Sequence, residues 1–213
     1  MSSSAQQGST RQTVFGPIVI EYDDTVIEPR AWTLAQSCWA AELAGRVPAG
    51  ALLELYCGAG HIGLAAAHLC GRPLVQVDDD AHACEWARRN ARRLGLDSDV
   101  RCAPIGAALH DEELFPLLLA DPPYLRTEQV NVYPDDPAHA IDGGPDGLGE
   151  IRRCLGVVAR RLSPEGAALL QVRGAAQGEA VAALLAATRN PLHIAETKEL
   201  TAERAILLLR ASS

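Results

Sequence analysis

From Phe15 onward the chain alternates short apolar runs with longer stretches whose apolar residues recur at helical spacing. Phe15 to Glu21 is short and rich in β-formers, broken by Gly16 and Pro17. Ala31 to Arg46 is helical in composition, entered after Pro29 and closed before Pro48. Ala51 to Tyr56 is a short apolar run ending at glycines, the pattern of a strand buried on both faces. A helix over His61 to Cys70 follows and stops at Gly71. The unit then repeats: a strand at Pro73 to Val77, a helix at Ala81 to Leu94 with Arg88, Arg89, Arg92 and Arg93 on a solvated face, and a weaker strand at Asp99 to Ala103. Leu117 to Ala120 reads as a buried strand, followed by a long polar loop and a helix from Leu148 to Leu162 stopped by Ser163-Pro164. A strand at Ala167 to Val172 and a helix at Glu179 to Thr188 come next. The end differs. Leu192 to Lys198 alternates, Ala205 to Leu209 is apolar, and the link at Leu200 to Arg204 is short, which predicts an antiparallel pair. Strands alternating with helices predict an α/β fold with a doubly wound seven-stranded sheet, mostly parallel, with a C-terminal antiparallel hairpin.

Composition narrows this picture. At roughly 150 residues per domain, 213 residues suit one domain. We expect a flexible tail over residues 1–12 and a single domain over residues 13–213. Hydrophobic residues make up 48% of the chain, enough for a sizeable core, and no apolar run approaches the ~20 residues that cross a bilayer. The Ser/Gln-rich start, Met1 to Thr10, lacks the cationic and apolar parts of a secretory signal, so a cytoplasmic location is expected. Nineteen Lys plus Arg against 27 Asp plus Glu give a net charge of −8. Nucleic acids are bound through clustered cations, so that balance argues against a nucleic-acid partner. Six cysteines (Cys38, Cys57, Cys70, Cys84, Cys102, Cys154) lie far apart without a C-x-x-C pair and are expected to be buried free thiols, with no metal site. Nothing in the sequence sets an oligomeric state.

Gly58-Ala59-Gly60-His61-Ile62-Gly63 matches G-x-G-x-x-G between a strand and a helix. Glycines let the chain turn tightly and let a ligand approach the backbone, and the helix N-terminus favours negative charge. Asp78 ends the second strand of the sheet, where a carboxylate accepts hydrogen bonds from ribose hydroxyls; the run Asp78-Asp79-Asp80 equally suits a helix N-cap. These features fit a nicotinamide dinucleotide about as well as S-adenosylmethionine. Glu54 separates the two. A carboxylate inside an apolar strand, four residues before Gly58, is costly unless paired; a cationic ligand group would pair it, whereas a diphosphate would be repelled.

Asp121-Pro122-Pro123-Tyr124 directly follows the buried strand Leu117 to Ala120. A diproline there cannot donate to the ladder and fixes the backbone. Ligands in such sheets bind beyond the carboxyl ends of the strands, so the tetrapeptide should share a cleft with the glycine loop. The Asp121 side chain and the Pro122 carbonyl offer two acceptors and Tyr124 a flat surface, which together suit a planar NH2 group. Holding both hydrogens aims the nitrogen lone pair at an electrophile.

An acidic residue, three positions and then Gly-x-Gly, as in Glu54 to Gly60, resembles the first motif of class I S-adenosylmethionine-dependent methyltransferases. Asp121 to Tyr124 resembles the signature of their amino-methylating members. Val26-Ile27-Glu28-Pro29-Arg30 with Thr33, and Pro137-Ala138-His139-Ala140-Ile141-Asp142-Gly143-Gly144-Pro145-Asp146-Gly147-Leu148, narrow the resemblance to the HemK-type glutamine-amide methyltransferases, over about residues 14–175. The resemblance implies a Rossmann-like sheet, S-adenosylmethionine held by Glu54, Gly58, Gly60 and Asp78, and a nitrogen acceptor placed by Asp121, Pro122 and Tyr124. That acceptor is an amide or amine of a protein glutamine or a small metabolite. Three departures stand out. Asp121 replaces the family's usual Asn, only about 30 residues precede Arg30 where the family carries a helical recognition domain, and Ala103-Pro104-Ile105-Gly106 lacks the acid that often meets adenine. The rival readings are an amino-base methyltransferase of ribosomal RNA or DNA, an NAD-dependent oxidoreductase, and a non-catalytic binding module on the same fold. His61 reads as a helix-start residue rather than a base, and His139, Asp135 and Asp136 as a solvated lid. Trp32 reads equally as cleft wall or packing, and Arg30 as a contact to an acidic acceptor or to the loop.

Overall fold

The computed structural model describes residues 9–212. Two strands, β1 (Arg11–Phe15) and β2 (Ile18–Tyr22), precede a 3-10 turn at Ala31–Thr33 and helix α1 (Leu34–Ala44). Then follow β3 (Leu52–Leu55), α2 (His61–Cys70), β4 (Leu74–Asp78), α3 (Ala81–Leu94), β5 (Ser98–Cys102) and β6 (Phe115–Ala120). The segment after β6 holds a 3-10 stretch, Thr127–Val132, and the short helix α4 (Ala138–Ile141). The chain closes with α5 (Gly149–Arg161), β7 (Leu162–Val172), α6 (Gly174–Ala187), β8 (Leu192–Thr201) and β9 (Arg204–Ala211).

Seven strands form one sheet in the order β5-β4-β3-β6-β7-β9-β8. Pairings from β5 to β7 are parallel, and β9 lies antiparallel between β7 and β8. The expected sheet and its C-terminal hairpin are both present. Side-chain alternation along the strands splits the core into two layers. Leu52, Leu117, Leu119 and Leu169 face α1, α2 and α3, while Leu53, Leu55, Leu118 and Leu170 face α5 and α6. Strand order reverses between β3 and β6, which opens a crevice at the carboxyl ends of those strands.

Helix punctuation follows the sequence closely. Left-handed glycines close α2 at Gly71 and α3 at Gly95, and Asp80 caps α3 by accepting from the Ala83 N–H at 2.8 Å. Other boundaries differ from expectation. The strand expected over 15–21 is the second half of an antiparallel hairpin turned at Gly16, where φ is +56°. Its first strand begins at Arg11, inside the expected 1–12 tail; residues 1–8 of that tail lie outside the described residues. Ser163-Pro164 does not end a helix in a loop but sits in β7, where the register with β6 shifts between Phe115 and Leu117, so the proline owes no ladder bond. Helix α6 starts at Gly174 rather than at Glu179, because the small residues of its first turn pack under the β8–β9 turn: a Cβ on Gly174 would strike the Ala202 carbonyl. Cys57, Cys84 and Cys154 are buried free thiols as expected, whereas Cys38 and Cys102 are exposed.

Candidate active site

The glycine loop is shaped from behind. Glu54, 2% exposed, accepts from the Gly63 N–H at 2.9 Å and the Gln76 Nε2 at 2.6 Å. Burial pushes its carboxyl up to about 8, against the two donors that favour the anion. A Cβ on Gly63 would collide with the Glu54 carboxylate, and one on Gly60 would lie 2.7 Å from the Gln76 Nε2. Glu54 and Gly60 therefore face the packing of β3, β4 and α2, and neither lines the crevice. Gly58 does. Its φ is +52°, the space beside its Cα is open, and its N–H donates to the Asp78 carboxylate at 2.9 Å. Asp78 also accepts from the Asp80 N–H at 3.0 Å, and burial raises its pKa.

Two cavities meet at the end of β6. One, of about 220 Å³, runs along the glycine loop past Tyr56, Gly58, Asp78 and His139. The other, of about 340 Å³, is walled by Trp32, Tyr124, Tyr133 and the C-terminal hairpin. Ile27, Asp121, Pro123 and Ala140 line both. Asp121 thus stands where the two spaces join, and desolvation there pushes its carboxyl up to about 7. Neither its carboxylate nor the Pro122 carbonyl receives a hydrogen bond among the described residues, so both acceptors are free. The strand end behind them is held by a buried glutamine of α1. Gln36 Nε2 donates to the Ala120 carbonyl at 3.0 Å and the Leu169 carbonyl at 2.9 Å, tying β6 to β7.

The glycine-rich segment after α4 is a backbone clamp on the tetrapeptide. The Leu125 N–H donates to the Ile141 carbonyl at 3.0 Å and the Gly143 N–H to the Leu125 carbonyl at 2.7 Å. Gln177 Nε2 then joins the Tyr124 carbonyl at 3.0 Å to the Gly147 carbonyl at 3.1 Å. Backbones this close leave no room for side chains: a Cβ on Gly143 would lie 2.8 Å from the Pro123 carbonyl, and one on Gly147 2.7 Å from that of Tyr124.

The remaining candidates separate. His61 is buried, edge-on to Phe15 at 4.9 Å, and desolvation drops its pKa to about 3, so it is a neutral packing residue. His139 lies 3.8 Å from Asp80 across the crevice mouth. Arg30 bonds Asp136 at 2.6 Å, which pins the long loop to the segment before α1. Three contributors were missed in the sequence. Tyr56 adopts φ +60° at the head of the glycine loop and donates to the Glu150 carbonyl at 3.2 Å. Arg173 and Arg204 enter the larger cavity from the end of β7 and the start of β9. A usable signal existed for Arg173, a cation at the carboxyl end of an apolar strand.

Residues 37–134 match the model of the methyltransferase small domain. The release factor glutamine methyltransferase of Mycobacterium leprae is 33% identical over 165 residues, which are 71% of this chain and 56% of that protein. The ribosomal protein uL3 glutamine methyltransferase of Bradyrhizobium diazoefficiens is 33% identical over 132 residues, 57% of this chain and 40% of that protein. Among solved structures, a tRNA (uracil-54, C5)-methyltransferase of Pyrococcus abyssi, in complex with S-adenosyl-L-homocysteine, superposes with a TM-score of 0.64 at 15% identity, covering 94% of this chain and 44% of that one. The fold is that of the Rossmann-like methyltransferases. In sequence the chain is similar to release factor glutamine methyltransferases, and it spans about half the length of the curated relatives it matches.

Proposed function

We propose that this chain is an S-adenosylmethionine-dependent methyltransferase, with residues 13–213 as its catalytic domain, and that it N-methylates the side-chain amide of a protein glutamine in the cytoplasm. The observation that carries this reading is the pair of free acceptors, the Asp121 carboxylate and the Pro122 carbonyl, at the junction of two cavities.

The smaller cavity suits a cationic ligand. Asp78, Asp79, Asp80, Asp121, Asp142 and Glu150 line it, against Arg153 and His139. A field of that sign favours a sulfonium and disfavours the diphosphate of NAD. Gly58 lets the ligand approach the backbone, and Asp78 is placed to accept from ribose hydroxyls. Glu54 and Gly60 serve the same site indirectly, by bracing the loop. A neighbouring cavity shares Tyr56, Asp79, Glu150 and Arg153 with the smaller cavity, and Pro104, Ile105 and Val157 give it apolar wall against which the base can lie.

When bound, S-adenosylmethionine supplies an electrophilic methyl group. The chain's own residues do the rest. Asp121 and the Pro122 carbonyl accept the two N–H groups of the amide, and the Tyr124 ring flanks its plane, which leaves the nitrogen aimed at the smaller cavity. N-methylation of an amide releases one proton, and the Asp121 carboxylate is positioned to take it. Burial of the site removes competing water.

The test is Asp121→Ala. Methyl transfer into acceptor should fall by at least about a hundredfold, while calorimetric affinity for S-adenosylhomocysteine stays within about threefold. Parallel loss of both would overturn the assigned role, and heat from NAD instead would overturn the cofactor.

A further inference from the structure

The larger cavity is polarised. Six of its lining residues are charged: Asp121, Asp136 and Glu203 against Arg30, Arg173 and Arg204. Two of the cations are matched within the wall. Arg30 bonds Asp136 at 2.6 Å, and Arg173 lies 3.8 Å from Glu203 and donates to Gln129 at 2.8 Å. Arg204 has no carboxylate within 4 Å and no hydrogen-bond acceptor among the described residues. Its guanidinium carbon sits over the Trp32 ring, 3.5 Å from the centroid, with that of Arg30 at 5.9 Å from the same ring. Stacking fixes the guanidinium plane while leaving its N–H edge free. The Trp32 indole N–H beside it is also buried without an acceptor. Arg204 and Arg173 line the same cavity as Tyr124, the residue proposed to flank the reacting group. The cavity therefore has a carboxylate at its floor and an unmatched cation on its wall.

We infer that Arg204, held by Trp32 and assisted by Arg173, is a specificity residue that binds a carboxylate carried by the acceptor close to the methylated nitrogen. This rests on the amide-acceptor reading above and deepens it: an NH2 group meets Asp121 while an anion meets Arg204. In a protein acceptor the carboxylate is that of an acidic residue flanking the glutamine. Free glutamine carries the same chemistry on its own backbone.

The experiment compares three probes with the full chain and S-adenosylmethionine. They are acetyl-glycyl-glutaminyl-glycine amide, the same peptide with aspartate following the glutamine, and free L-glutamine. The aspartate peptide should exceed the neutral one by at least about tenfold in kcat/KM, the size expected of one charge-assisted bidentate contact. The difference should lie in KM. In Arg204→Gln the ratio between the two peptides should fall towards one, and in Arg204→Lys, which keeps the charge but loses the planar fork, it should be intermediate. Preference for L-glutamine over both peptides would assign the carboxylate to a small acceptor. Equal use of the two peptides by the unaltered chain, or a ratio unchanged in Arg204→Gln, would overturn the inference. Calorimetric binding of the same peptides in the presence of S-adenosylhomocysteine keeps the two readings apart. Tighter, Arg204-dependent binding of the aspartate peptide without turnover would refute the glutamine acceptor and leave the anion subsite standing. Equal binding of both peptides would refute the subsite.

Discussion

Under the proposed function Asp121 is the residue on which the chemistry turns, and its character departs from a neutral amide side chain at the same position. An amide accepts through its one carbonyl oxygen at any pH and takes up no proton. A carboxyl group accepts through both oxygens, and can take a proton, only when ionised, and burial at the cavity junction pushes Asp121 up to about 7. Activity should therefore be present above that value and lost as pH falls through it. A kcat/KM profile should bend near pH 7, and the bend should vanish in Asp121→Asn; a bend that persists in that variant would place the titrating group elsewhere. Glu54 illustrates the opposite lesson. Its position before the glycine loop invites a direct ligand contact, yet its oxygens are engaged by Gly63 and Gln76. A side chain in the middle of a central strand points into one of the two helix layers, whereas Asp121 lies beyond the strand end, at the junction of the two cavities.

At the scale of elements, the segment from α4 to α5 does the positioning. Two of its glycines, Gly143 and Gly147, are matched to the Pro123 and Tyr124 carbonyls, so their role is steric. Gly147, at φ +72°, faces the Tyr124 carbonyl, whereas Gly144, at φ +89°, faces open space. Both alanine variants incur the left-handed strain of about 1–2 kcal/mol, but only Gly147→Ala pushes the clamp off the Asp121–Tyr124 segment. We expect Gly147→Ala to lower turnover at least about tenfold, the effect of a misplacement near 1 Å, with affinity for S-adenosylhomocysteine unchanged. Gly144→Ala should cost stability and little turnover. Equal turnover loss in both would mean that strain alone, not the clamp, sets the rate. This element was legible as a motif but not as a mechanism. Its residues are polar and aperiodic, and the parallel bridge of Leu125 with Asp142 joins positions that no local pattern relates.

For the molecule as a whole, the buried carboxyls link stability to pH. The folded-state values of Glu54, about 8, and Asp121, about 7, lie above their ordinary 4.5 and 3.8, and Asp78 shifts in the same direction. As pH rises from about 4 the unfolded chain sheds these protons first, so stability is fullest at the acid end of the window and falls between about pH 4 and 8. Glu113 and Asp146, both lowered to about 2 by arginine partners, act oppositely but only below about pH 4. Tm should be lower at pH 8.5 than at pH 6 by at least about 3 °C, since 1 kcal/mol moves Tm by about 2–4 °C at this size. Glu54→Gln should shrink that difference, and an undiminished one would clear Glu54 of the effect.

Helices α2 and α3 appear within the bounds that their apolar spacing and glycine stops predict, and the central strands appear as short runs buried on both faces. Those features are local: period, cap and stop are written within one element, and alternation of strand and helix then leaves few ways to wind the sheet. The sequence alone also placed Asp78 and Asp121 at strand ends, hence at one crevice. What only the tertiary structure decided is direction and company. Whether Glu54 turns inward, whether Arg204 is matched by an acid, and which backbone Gly147 touches all depend on atoms from elements far apart in the chain. Side chains at the carboxyl ends of β6 and β7 and at the amino end of β9 become neighbours only once the antiparallel hairpin docks β9 beside β7, and no periodicity along the chain carries that contact.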